Sequence, residues 1–425
     1  MVRKALDDLA RALTARRLFV QAASLAVCLW TAFLWNLSTP GMLDRSGQPK
    51  GGDFVHFYTL GTLAGLGHGD LLYNMPAQAA MIARAFPSAG PLLYLPLYGP
   101  QVALFFAPWS RLPYRSALSA WALFNAILYA LSILCVLRVL DRSSNVVSDA
   151  TNPVLLRSGA HRRLVWVLAI AFPGFFALIA WGQTSGVALA LFTAAWLALQ
   201  SHRKVLAGLA LGTLVFKPQL ALAAMLLFLL TGEWKMIAGA SVSATLQLAA
   251  AWARFGTGVM QDYAAHLFRA GTILQLLEPR PYATHSVRAF WAILVPISTV
   301  AWSLYLTTAA AVMVTAVITW RSAAPLGLRF SVLLTASVLM APHLGIYDLV
   351  VLAPVFLWVA NWIAENTVHA NANILRVTLY VVFFSPLLAP LTRYTHMQLS
   401  VLAILALHFA LARTVRTSAF RTETS

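Results

Sequence analysis

The sequence predicts an all-α polytopic membrane protein, and three observations carry that reading. Of the 425 residues, 60% are hydrophobic and only 10% charged, with a mean hydropathy of +0.75, whereas soluble domains carry about 25% charged residues. Many apolar runs approach the about 20 residues needed to cross a bilayer. The Arg and Lys residues behind the formal net charge of +17 fall in short loops between those runs. That is the inside-positive pattern of a membrane protein, not a nucleic-acid surface.

The N-terminal stretch MVRKALDDLARALTARRLFVQAASLAVCLWTAFLW carries a long basic lead and no A-x-A-like cleavage site, so a retained first helix is expected rather than a cleaved signal peptide. Residues 1–17 read as a short amphipathic helix on the cytoplasmic side. The apolar runs follow at 18–37, 92–109, 114–140, 163–181, 183–200, 204–216, 218–232, 234–255, 289–320, 326–341, 345–364, 372–391 and 396–412.

Thirteen crossings would put the loop 141–162, flanked by Arg138, Arg142, Arg157, Arg162 and Arg163, on the wrong side relative to the basic N-terminus. The run 92–109, LLYLPLYGPQVALFFAPW, resolves the conflict. Its Pro96, Pro100 and Pro108, behind Pro91, each remove a helical hydrogen bond, and freed backbone groups cannot face lipid. Read as a broken re-entrant or interfacial segment, it leaves about twelve crossings with both termini cytoplasmic. His202-Arg203-Lys204, Lys235, Arg321, Arg329, Arg376 and the tail from Arg413 then share the inner face, and the long loops 38–91 and 256–288 share the outer one. No linker, repeat or soluble domain stands out, so residues 1–425 read as one membrane domain. Cys28 and Cys135 both lie in apolar runs and read as small core residues.

The polar residues gather on that outer face. Asp53, His56 and Tyr58 lie in the first long loop; Trp181-Gly182-Gln183 and Lys217-Pro218-Gln219 each close a helix pair. His266, Arg269, Glu278, Arg280 and His285 belong to the second loop, Pro342-His343 is expected to begin the helix carrying Tyr347 and Asp348, and Arg393 and His396 sit in the last outer turn. Lys217 interrupts a long stretch with no other charge, and such residues default to a functional reading, although snorkelling to the interface competes. Pro218 suits the first turn of a helix, which would place the amine near a positive dipole end and so describe an anion site. Asp53 carries the opposite weighting, since a lone loop Asp more often caps or solvates its loop. His343 reads equally as structural or functional, and Asp348 equally as a helix-start charge. The aromatic cluster of Phe54, Phe57, Tyr58, Tyr73, Tyr94 and Tyr98 could stack on a sugar, but an interfacial belt is the commoner explanation.

The order GGDFVHFY, GHGDLLY, LLYLPLYGPQVALFFAPW, WGQTSGVALALFTAAW, AGLALGTLVFKPQLAL and APHLGIYDLVVLAPV resembles the bacterial DUF2029 proteins, glycosyltransferase family 87, from about residue 18 to 365. Its best-known members are similar to the mycobacterial mannosyltransferases that extend phosphatidylinositol mannosides. The resemblance implies a GT-C fold with a periplasmic active site, and a helical bundle with basic inner loops is expected in the inner membrane. The resemblance also implies a polyprenyl-phosphate-sugar donor, an Asp general base matching Asp53, and Lys217 and His343 near the donor phosphate; the acceptor, expected to be a lipid or glycan, does not carry over. Gln183 matches another motif position, and the second loop is expected to shape the acceptor site.

From the chemistry, a carboxylate base assists attack by a hydroxyl, typically by about 10²–10⁴-fold, and the leaving phosphate needs electrostatic stabilisation. Lys217 and His343, joined by Arg280 or Arg393, are the candidates for that task, with His56, Tyr58, Gln183 and Asp348 as substrate contacts. One-step displacement inverts the anomeric centre. No cofactor and no metal are expected, the single phosphate being neutralised by Lys and Arg. A secondary transporter or lipid flippase would also account for Lys217, Asp348 and the broken segment, but no corresponding interrupted segments appear in the two halves. A catalytically inactive assembly partner is the remaining alternative.

Overall fold

The computed structural model describes residues 2–89, 92–147, 159–269 and 281–423, so Arg157, Glu278 and Arg280 lie outside the described residues. Among the described residues the chain is helical throughout, with isolated β-bridges only at Leu43–Pro49 and Thr284–Gly345. Helix α1 (Val2–Ala12) ends before Thr14, whose hydroxyl accepts from Arg17 N and caps α2 (Ala15–Leu37). The basic lead is therefore two helices rather than one, because a threonine oxygen satisfies the new N-terminus. The following loop carries α3 (Phe54–Leu66) and α4 (Met75–Ala85).

The proline-rich run 92–109 holds only the seven-residue α5 (Pro100–Phe106), and α6 (Tyr114–Val147) follows it. Pro173 bends α7 (Gly159–Ala171) and α8 (Pro173–Ala180) by 46°, so the run 163–181 is not one straight helix. Next come α9 (Ser185–Gln200), α10 (Lys204–Gly212), α11 (Pro218–Thr231), α12 (Trp234–Phe255) and α13 (Thr257–Arg269). Pro296 likewise splits the run 289–320 into α14 (Val287–Leu294) and α15 (Ser298–Arg321), followed by α16 (Leu326–Met340). His343 does not begin a helix: it precedes a 3-10 segment, Ile346–Leu352, that leads into α17 (Ala353–Glu365). The chain closes with α18 (Ala372–Phe384), α19 (Thr392–Thr395) and α20 (Leu399–Glu423).

Among the described residues, seven helices are long and apolar enough to cross a membrane, or eight if the bent pair counts as one span. The expected twelve crossings include α9, α11 and α16, of 16, 14 and 15 residues. At 1.5 Å per residue these reach only about 21–24 Å, short of about 30 Å of hydrocarbon.

Each end of the bundle is tied together by its own contacts. At one end Lys204 pairs with Glu233 at 2.7 Å, Arg162 with Asp141 at 3.7 Å, and Arg321 donates to Leu230 O at 2.8 Å. At the other, Tyr114 donates to Lys50 O at 2.7 Å and Trp121 Nε1 to Gly182 O at 2.9 Å, and the C-terminal end of α8 meets the start of α9. This second end holds the candidate site.

Candidate active site

Two glycines deliver Asp53. Gly51 and Gly52 both take positive φ, +90° and +50°, a region open to glycine at little cost, and the chain then turns into α3. Asp53 occupies the N-cap position but makes no capping hydrogen bond. Its carboxylate turns away from its own helix and accepts from Gln183 Nε2 at 2.6 Å. Gly182 makes that meeting possible. It has φ +60°, and a Cβ there would lie 2.6 Å from Phe54 Cβ and 2.9 Å from Gly51 O. Only a glycine lets the turn between α8 and α9 press this closely on the Gly51–Asp53 loop.

Behind this pair lies a buried charge network. The Lys217 ammonium, at the N-terminus of α11, donates to Asp348 Oδ1 and, at 2.7 Å, to Ser185 Oγ; Ser185 Oγ in turn donates to Asp348 Oδ1 at 2.6 Å. Gly345 N supplies Asp348 Oδ2 at 3.0 Å, and Lys217 Nζ stands 5.0 Å from the Tyr347 ring centroid. Lys217, Asp348 and Ser185 are all buried. The anion that Lys217 meets is thus a carboxylate of the protein itself, 131 residues away. Ser185 was not singled out in the sequence. The signal that could have found the pair is the rarity of the two charges, since charged groups in apolar segments pair with one another.

The second long loop is stitched to the same end. His285 N donates to Leu344 O at 2.8 Å, Arg288 Nε to Pro342 O at 2.7 Å, and His285 Nδ1 lies 2.6 Å from Ser400 Oγ. Gln398 Nε2 donates to Tyr282 O at 2.7 Å. These bonds fix the loop that presents half-buried His343. Asp53 is within electrostatic reach of Lys217, His343 and Asp348. Burial raises its pKa above the usual carboxylate value, and the Gln183 hydrogen bond and the charges of Lys217 and His343 pull the other way.

The structure therefore brings Asp53, Gln183, Lys217, His343 and Asp348 to one place. His56 is buried one turn along α3. Tyr58 turns elsewhere, its hydroxyl donating to Leu112 O at 2.9 Å, and Arg393 is exposed on α19, making none of these contacts. Arg288, which donates to Pro342 O, is an addition that the sequence did not suggest.

The model of glycosyltransferase family 87 matches residues 97–342, more than half of the chain. The chain belongs to glycosyltransferase family 87. Neither a curated protein nor a solved structure matches it. The matched span of this family 87 chain includes Gln183, Ser185 and Lys217, ends next to His343, and begins after Asp53. A glycosyltransferase must activate a hydroxyl and stabilise a leaving group. A half-buried carboxylate of raised pKa, within electrostatic reach of the buried Lys217 and the half-buried His343, is a chemically suitable start for both tasks.

Proposed function

We propose that the protein is an inverting hexosyltransferase, moving a sugar such as mannose from a polyprenyl-phosphate-sugar donor to a hydroxyl of a lipid or glycan acceptor on the periplasmic face of the inner membrane. Asp53 is the general base. It removes the proton of the acceptor hydroxyl as that oxygen forms a bond to the anomeric carbon and the bond to the donor phosphate breaks, so the phosphate leaves with the electron pair. His343 sits closest in role to that departing charge. Lys217 contributes through the field of its pair with Asp348, which also fixes the 3-10 segment behind His343.

The observation that carries this reading is that Asp53 sits at a helix start without capping it, and is instead held by Gln183 beside Lys217 and His343. Family membership supports the reaction class, and the uneven distribution of Arg and Lys supports the orientation. The test is incubation of purified protein in vesicles with radiolabelled polyprenyl-phosphate sugars and membrane-lipid acceptors. Labelled glycolipid of inverted anomeric configuration is expected. Movement of label across the vesicle without product would instead favour a flippase.

A further inference from the structure

One buried side chain beside this site lacks a protein partner. His56 lies on α3 three residues after Asp53 and is 3% exposed, yet neither Nδ1 nor Nε2 meets a hydrogen-bonding group among the described residues. The other buried histidines are bonded: His285 to Ser400 at 2.6 Å, and His408 to Thr315 and Thr335, each at 2.8 Å. A buried donor or acceptor left unmade carries its full desolvation cost, and His56 leaves one of each. Its ring is nevertheless held in place. It stacks on Tyr94, with centroids 5.2 Å apart and planes 20° apart, and meets Tyr98 at 6.0 Å. Tyr94 is anchored by its hydroxyl to Gly52 O at 3.1 Å, one residue before Asp53, and both tyrosines lie within electrostatic reach of the Asp53 carboxylate.

We propose that His56, oriented by Tyr94, binds sugar hydroxyls at this site and so selects the glycan that the enzyme handles. The inference rests on the glycosyltransferase reading above and adds a recognition residue to it. Burial pulls the His56 pKa down to about 4, so near neutral pH one ring nitrogen donates and the other accepts. A phosphate offers acceptors alone and an ammonium donors alone, so either would leave one nitrogen unsatisfied. Hydroxyls are donor and acceptor at once and satisfy both. The same chemistry could come from the sugar of the donor or from a glycan on the acceptor.

The experiment measures binding to full-length protein in detergent. The donor arm compares polyprenyl-phosphate mannose, glucose and galactose with polyprenyl monophosphate; the acceptor arm compares the three methyl glycosides with glycerol. Wild type should bind at least one sugar-bearing probe more tightly than its sugar-free counterpart. His56→Phe should lose about tenfold of that increment, the worth of one or two hydrogen bonds, while binding of polyprenyl monophosphate stays within about twofold. His56→Gln, which keeps a donor and an acceptor, should recover part of the loss. The arm that loses its increment identifies the source of the hydroxyls.

If His56→Phe keeps the increment, or weakens the monophosphate equally, or if wild type shows no increment in either arm, the inference is overturned. Should His56→Phe fail to fold, Tyr94→Leu, which removes the stack orienting the ring, carries the same readout. Turnover is read separately: a wild type that discriminates sugars in binding yet transfers none would overturn the proposed reaction and leave the role of His56 standing.

Discussion

At the scale of single residues, the site combines an acid that must ionise with a charge pair that must stay intact. Burial raises the Asp53 pKa, so the folded protein holds that proton more tightly than the unfolded chain does. Between the ordinary value of 3.8 and the raised value, stability therefore falls as pH rises. Asp53→Asn should accordingly be at least as stable as wild type at pH 7, by thermal unfolding in detergent, while transfer is lost. In wild type, kcat/KM should fall as pH is lowered through a pKa above 3.8, because only the ionised carboxylate accepts a proton.

The Lys217–Asp348 pair behaves oppositely. Removing either partner alone, as in Lys217→Met or Asp348→Leu, leaves a buried charge and should cost about 3–5 kcal/mol. The double variant should cost much less than the sum, which a double-mutant cycle of unfolding free energies checks. Both residues were legible as charges out of place in apolar sequence. Their partnership was not, because it depends on how α11 and the 3-10 segment Ile346–Leu352 are packed, information that no local pattern contains.

At the scale of elements, breaks matter more than helices. Proline marked the break within 92–109, where Pro100–Phe106 is the α-helical part and a 3-10 turn begins at Trp109. It also divides 163–181 and 289–320, which hydropathy alone reads as continuous. Close approach of glycines is the other device. A Cβ at Gly208 would lie 2.1 Å from Met236 O, one at Gly212 2.2 Å from Ala240 O, and one at Gly239 2.3 Å from Val205 O. Gly208 and Gly212 are one turn apart on α10, the small-xxx-small spacing that lets membrane helices touch backbone to backbone. Gly212→Val should force α10 from α12 and lower the midpoint of thermal unfolding by several degrees, about 1–3 kcal/mol of overpacking. Gly182→Ala should act closer to the chemistry. It pushes the turn holding Gln183 off the Gly51–Asp53 loop, and should reduce kcat about tenfold or more while leaving helicity by circular dichroism unchanged.

At the scale of the whole molecule, the proposed orientation rests on the basic loops expected at the end away from the site. That expectation comes from sequence alone, because the bias of Arg and Lys between short loops is a property of sequence. The number of crossings was less legible, since α9, α11 and α16 are shorter than a bilayer is thick and owe their place to the surrounding bundle. Single cysteines at Gln48 and Ser201, in a background without Cys28 and Cys135, should react with a membrane-impermeant thiol reagent from opposite sides, Gln48 from the periplasm and Ser201 from the cytoplasm. Labelling of both from one side would separate the proposed active-site face from the inside-positive pattern.

The most direct measurement is the rate of sugar transfer from polyprenyl-phosphate sugar by Asp53→Asn against wild type, at saturating donor and with folding verified by thermal unfolding. Asparagine keeps the shape and the contact with Gln183 but cannot take a proton near pH 7. A fall of at least about 10²-fold in kcat is expected. Product formation at the wild-type rate would show that another group removes the proton, and that the Gly51–Asp53 loop serves the fold alone.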